Sequence, residues 1–140
     1  MAESLTLIEC PRDAFQGLPH FVPTQTKIDY LRSLIDAGFK DIDFGSFVSA
    51  KAVPQMRDTP QVLDAMRPSL GQTRLIAIVP NLKGLEAAIE AKEVRCIGFA
   101  LSLSETFQQR NFHQTLEQAW EVTSELLERS QVPGIELVVY

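Results

Sequence analysis

Five apolar runs dominate the chain: LTLIEC (5–10), IDFGSFV (42–48), LIAIV (75–79), CIGFALS (96–102) and IELVVY (135–140). Most are nearly continuous rather than alternating, the pattern of strands covered on both faces, as in parallel sheets. Helical spacing fills the intervals. Ile28, Leu31, Leu34 and Ile35 recur after Pro23 and Thr24, with Gly38 as the stop. Pro60 opens a helix carrying Val62, Leu63 and Met66, stopped at Pro68. Leu85, Ala88 and Ile89 follow Asn81 on one face. Leu116, Ala119, Trp120, Thr123, Leu126 and Leu127 form the longest stripe, closed by Pro133 and Gly134. These stripes read as core packing. The order is β-α-β-α-β-α-β-α-β, an α/β fold of parallel strands with right-handed crossovers.

Two architectures fit that order. A length of 140 residues would complete an open doubly wound sheet, whereas a (β/α)8 barrel needs about 250. The phosphate-binding signatures of open sheets are missing: no GxGxxG follows the first run, and there is no lysine-bearing phosphate loop. Polar residues gather at the C-terminal ends of the runs: Arg12, Asp13 and Gln16, then Asp43 and Ser46, Asn81, and Ser102, Ser104 and Glu105. Barrel active sites are built at that face. Tyr140 ends the sequence inside an apolar run, so a piece of a larger barrel is expected.

The composition is that of a soluble globular protein, 45% hydrophobic and 22% charged. A net charge of −5 argues against a nucleic-acid partner, which needs a basic face. No apolar stretch is long enough to span a bilayer, and no run of like charge offers a membrane patch. Cys10 and Cys96 read as buried thiols, or as positions near a site, in a reducing compartment. MAESLTLIECPRD lacks the features of a signal peptide, and the cytoplasm is the expected location.

The stretch ECPRDAFQ (9–16) raises the question of chemistry. Charged residues are rarely buried unless paired or bound. Arg12 and Asp13 are either a solvated strand end or two halves of a site, one for an anion and one for a metal.

Five stretches, ECPRDAFQ, VPTQTKIDYL, AGFKDIDFGSFVSAKAVPQMRDT, VPNLKGLEAAIEA and SETFQQRN, resemble the 3-hydroxy-3-methylglutaryl-CoA lyase family from about Leu5 to Tyr140. The resemblance implies that residues 1–140 are the N-terminal part of one pyruvate carboxyltransferase/HMG-CoA lyase-like TIM barrel, ending at strand five. It implies cleavage of a 3-hydroxy-acyl-CoA to acetyl-CoA and a keto acid, acetoacetate for the named substrate. It implies a divalent cation, Mg2+ or Mn2+, held in part by Asp13. It gives Arg12 a catalytic role, stabilising negative charge on the substrate. Asp43 is implicated beside Arg12, with an outward-facing salt bridge as the competing reading. Gln16 would touch the substrate or support Arg12. Asn111 would lie near the CoA, or else cap the following helix.

The match has departures. Ala14 and Cys10 stand where the family commonly has glycine, and Asp43 stands where many members carry glutamate. The family's other metal ligands, two histidines and an asparagine, and its catalytic cysteine come from later segments. His20 and His113 match none of them. The chain alone is therefore expected to be inactive. Two further readings stand: a related condensing acyl-CoA/keto-acid synthase, or a non-catalytic half-barrel. An exposed strand-five edge invites homo-oligomerisation or pairing with another chain.

Overall fold

The computed structural model describes residues 5–131 and 134–140. Among these, five strands form one parallel sheet in the order β1-β2-β3-β4-β5. They are β1 (Ile8–Glu9), β2 (Asp41–Ser46), β3 (Arg74–Ile78), β4 (Cys96–Phe99) and β5 (Glu136–Val139). The helices are α1 (Pro11–Gln16), α2 (Thr24–Asp36), α3 (Thr59–Met66), α4 (Leu82–Glu90), α5 (Glu105–Phe112) and α6 (Leu116–Gln131). Spatial order repeats chain order, so the winding never reverses. A doubly wound sheet reverses at a switch point; sequential winding is what a barrel wall requires.

Strand alternation separates two faces. Ile42, Phe44, Leu75, Ala77, Val79, Ile97 and Phe99 join the hydrophobic core with Leu31, Leu63, Leu85 and Leu126 of the helices. Asp41, Asp43, Arg74, Cys96, Glu136 and Tyr140 lie off that face. The helical stops read from the sequence hold. Gly38 takes φ +93° beyond α2, and its N–H and that of Phe39 bond back to Ile35 and Leu34 carbonyls, a left-handed cap suited to glycine. Pro60 lies in the first turn of α3.

Several expectations change. The first strand shrinks from six residues to Ile8–Glu9: it lies at the sheet's edge, and Leu5 and Leu7 are exposed. Arg12 and Asp13 then sit on a helix rather than a strand end. Helix α5 forms where the sequence shows no apolar stripe; it is polar and buries only Gln108. The α6 stripe is narrower than expected: Ala119, Thr123 and Leu126 are buried, but Trp120 and Leu127 are 53% and 50% exposed. Pro133, read as part of that helix's stop, lies outside the described residues.

Candidate active site

The site begins with α1. Pro11, with its fixed φ, is in the first turn, and the six residues turn Arg12 and Gln16 to one face at i, i+4 spacing. From there Arg12 reaches β2. Its Nη2 donates to Asp43 Oδ2 at 2.6 Å, and its Nε lies 3.2 Å from both carboxylate oxygens. The Asp43 side chain is 1% exposed and that of Arg12 15%. Asp43 therefore points to the inner face, and the outward salt bridge is excluded. The register of β2 on β3 slips between Asp43 and Gly45, a bulge immediately beyond the carboxylate, where bulges re-aim side chains.

The third guanidinium nitrogen is less committed. Arg12 Nη1 donates to Asp13 Oδ1 at 3.3 Å and to Gln16 Oε1 at 3.4 Å, both long and exposed. Arg12, Asp13, Gln16 and Asp43 thus form one cluster. The pair's two members respond oppositely to burial. Burial pushes the Asp43 carboxyl up against the lowering pull of Arg12. Burial also acts against the Arg12 cation, but the hydrogen bond and charge of Asp43 outweigh it and hold the guanidinium above its ordinary value. The bidentate geometry favours the charged form of both partners. Both Asp43 oxygens lie on Arg12, so its carboxylate orients the guanidinium.

Asp13 is 75% exposed in its side chain. A hard oxygen donor in that position suits a divalent cation. It offers one ligand: among the described residues no three His, Cys, Asp or Glu side chains converge.

Asn111 stands apart. On α5 its Nδ2 donates to the Phe107 carbonyl one turn back, at 2.9 Å. It caps nothing: the N–H groups at the start of α6 are met by a reciprocal box, with Gln118 N–H donating to Thr115 Oγ1 and Thr115 N–H to Gln118 Oε1. Asn81 and Ser104, read as site-facing polar residues, accept from Gly84 N–H and Phe107 N–H as helix caps.

Sequence reasoning passed over Tyr140. Its ring lies over Gly98 of β4, where an added Cβ would come within 2.7 Å of Cε2. Its hydroxyl is pushed up by burial and then by the charge of Asp43. The available signal was the glycine in CIGFA, which opens room beside a strand.

No family model matches the chain. It is 37% identical to the mitochondrial hydroxymethylglutaryl-CoA lyase of Macaca fascicularis over 132 residues, 93% of this chain and 39% of that protein. The HMG-CoA lyase structure from Brucella melitensis superposes with a TM-score of 0.91 at 34% identity, covering 99% of this chain and 49% of that one. An Acinetobacter baumannii HMG-CoA lyase, in complex with coenzyme A and 3-methylmalate, gives a TM-score of 0.84 at 33% identity over 96% of this chain and 44% of that one. The chain spans less than half the length of each of these proteins.

Proposed function

We propose that this chain, similar to hydroxymethylglutaryl-CoA lyases over less than half of their length, is the first half of such a barrel and supplies the enolate-stabilising side of a carbon–carbon lyase site. The observation that carries this is the Arg12 guanidinium, fixed by Asp43 on two nitrogens with Nη1 left toward solvent.

The substrate is a 3-hydroxy-acyl-CoA, with 3-hydroxy-3-methylglutaryl-CoA as the named candidate. Loss of the 3-hydroxyl proton to a base converts that carbon to a ketone. The C2–C3 bond breaks, its electrons pass to the thioester as an enolate, and C2 takes up a proton. The products are acetoacetate and acetyl-CoA. Arg12 stabilises the developing enolate charge, a task suited to a planar, permanently charged donor set aligned beforehand. Asp43 keeps it aligned. Gln16, one turn from Arg12, and Asn111 on α5 are the proposed substrate contacts, Asn111 toward the CoA, the ligand held in the Acinetobacter structure. Asp13 would hold a Mg2+ or Mn2+ ion, which when bound supplies Lewis-acid polarisation of the substrate's oxygens.

The proposal concerns a barrel completed by further strands, either in continuation of this chain or from a different chain docking at the open β5 edge. A reducing compartment fits the free thiols; the cytoplasm is proposed, and cell fractionation tests it. The functional test is incubation of the completed barrel with 3-hydroxy-3-methylglutaryl-CoA and Mg2+. Release of acetoacetate and acetyl-CoA in equal amounts is expected, and no release from the 140-residue chain alone. Consumption of acetyl-CoA with a keto acid, without cleavage, would replace the lyase by a condensing synthase.

A further inference from the structure

The helix that carries Arg12 cannot orient itself. It has six residues, far below the roughly 12–15 at which an isolated helix becomes even marginal in water. Its N-cap residue, Cys10, makes no side-chain capping bond, and only Pro11 is buried. Phe15 meets Tyr30 of α2 edge-on, ring centroids 5.7 Å apart. Something else must fix the segment where it leaves the helix.

That segment, Leu18 to Val22, is gripped by one side chain from the other side of β2. Gln55 lies in a single 3-10 turn, Pro54–Met56, between β2 and α3, and is 6% exposed. Its Oε1 accepts from Val22 N–H at 3.1 Å, and its Nε2 donates to the Leu18 carbonyl at 3.0 Å and to the His20 carbonyl. One amide thus satisfies three backbone groups spread over five residues. Gln55 is in turn held from behind. Lys27 Nζ donates to the Gln55 backbone carbonyl and to Asp58 Oδ1, the latter at 2.6 Å. Thr24 Oγ1 donates to Asp58 Oδ2 at 2.8 Å. Lys27 and Asp58 are 3% and 6% exposed, and Phe21 packs under the cations of Lys27 and Arg57, at 4.3 and 3.8 Å from its ring centroid.

A buried ion pair is weak evidence for stability, because desolvation offsets most of the attraction; its better-attested use is to enforce one arrangement. Here the arrangement enforced is that of the chain leaving α1. We propose that Gln55 is a positioning residue for the reaction. It clamps the Leu18–Val22 segment so that α1 presents Arg12 to Asp43 and to the substrate. This rests on the lyase reading for its consequence, but the clamp has a readout of its own.

The test uses the completed barrel carrying Gln55→Met, which keeps the side chain's length and removes all three bonds. Amide exchange at Leu18–Val22 and in α1 should accelerate. The kcat should fall about 10- to 100-fold, the scale of a roughly 1 Å misplacement of a catalytic group, with KM near its original value. Gln55→Glu keeps the acceptor for Val22 N–H and loses both donors; it should fall between Met and the natural residue in both readouts, and it carries the test if the Met variant does not fold. A folded variant with faster exchange but unchanged kcat would overturn the proposal, leaving Gln55 a purely structural residue. A lower kcat without faster exchange would overturn it equally. If the unsubstituted barrel cleaves no acyl-CoA, the lyase reading fails, and exchange alone then decides whether Gln55 clamps α1.

Discussion

Asp41 and Asp43 stand two residues apart on the same face of β2, and each is met by an arginine. Asp41 is met by Arg74, its register partner on the adjoining strand β3. Arg74 also reaches across β4 to Glu136 of β5. That cation is divided between two carboxylates and joins three strands, a strut across the inner curve of the sheet. Asp43 is met from outside the sheet, by Arg12 on a six-residue helix. That cation is held on two nitrogens, and its third has only long bonds to exposed partners. The charges are the same, but the supports differ. Where both partners sit on strands near their N-terminal ends, the arginine spends its bonded nitrogens on two different strands and ties the sheet together. Where one rides on a loop-borne helix over the C-terminal ends, two nitrogens serve a single carboxylate and the third makes only long bonds to exposed partners, which is the basis of the proposed substrate contact. Barrels make the same division, with chemistry at the C-terminal face and stability at the other.

The sharpest test of the difference is Arg12→Gln in the completed barrel. Removing one preorganised donor to a developing oxyanion costs about 10²- to 10³-fold in kcat, and steady-state kinetics should show at least that loss. The same change leaves Asp43 buried without its cation, so thermal unfolding should also shift downward. Arg74→Met should separate the two effects. It strands Asp41, which is largely buried, and should lower stability by about 1–3 kcal/mol in urea unfolding while kcat stays within about twofold. A large loss of kcat in Arg74→Met would erase the distinction between the two arginines.

A thiol lies near each arginine. Cys10, beside Arg12, is exposed, whereas Cys96, near Arg74, is buried. Burial pushes the Cys96 thiol up to about 11, only partly countered by the charge of Arg74. The thiolate is the reactive form. Iodoacetamide at pH 8 should therefore modify Cys10 alone in the folded protein, and Cys96 only once urea unfolds it. Mass spectrometry of the alkylated chain reads both. Labelling of Cys96 in the native state would mean that the sheet's inner face is open well below its mouth.

The strands and long helices were legible because burial leaves a periodic record. LIAIV and CIGFALS could hardly be anything but interior strands, and Gly38 marked a helix end by its own backbone chemistry. What was not legible lay where a few long-range partners decide. ETFQQRNF carries no apolar stripe, and only Ser104 followed by Glu105, a cap and an acidic first turn, hinted at α5. Trp120 has the right spacing for the core, but the neighbouring elements cover a narrower seam of α6 than its apolar residues offer. Arg12 and Asp13 were singled out from their adjacency, yet the partner that orients Arg12 lies 31 residues on. The direction in which Asp43 points depended on the strand's phase and its bulge. The Gln55 clamp and the Lys27–Asp58 pair left no local trace at all: a lysine in the first turn of a helix reads as a solvated charge until the fold closes over it.

The smallest expected effect tests the Asp43 side of the comparison by pH. The folded state raises the Asp43 carboxyl above its ordinary 3.8, chiefly by burial. A group raised in this way is protonated more readily in the folded chain than in the unfolded one. Its stabilising contribution is therefore complete below the ordinary value and lost as pH rises through the raised one. Activity should run the other way. Protonating Asp43 removes the charge that orients Arg12, so kcat should rise with pH through the same window. Opposite slopes of stability and kcat, between the ordinary carboxylate range and neutrality, would identify one group acting on both. Asp43→Asn should flatten both slopes in that window. Asp41→Asn should leave the kcat slope in place, because Arg74 has no part in presenting Arg12. If the kcat slope survives Asp43→Asn, the acid limb belongs to another group, and Arg12 is oriented without the charge of β2.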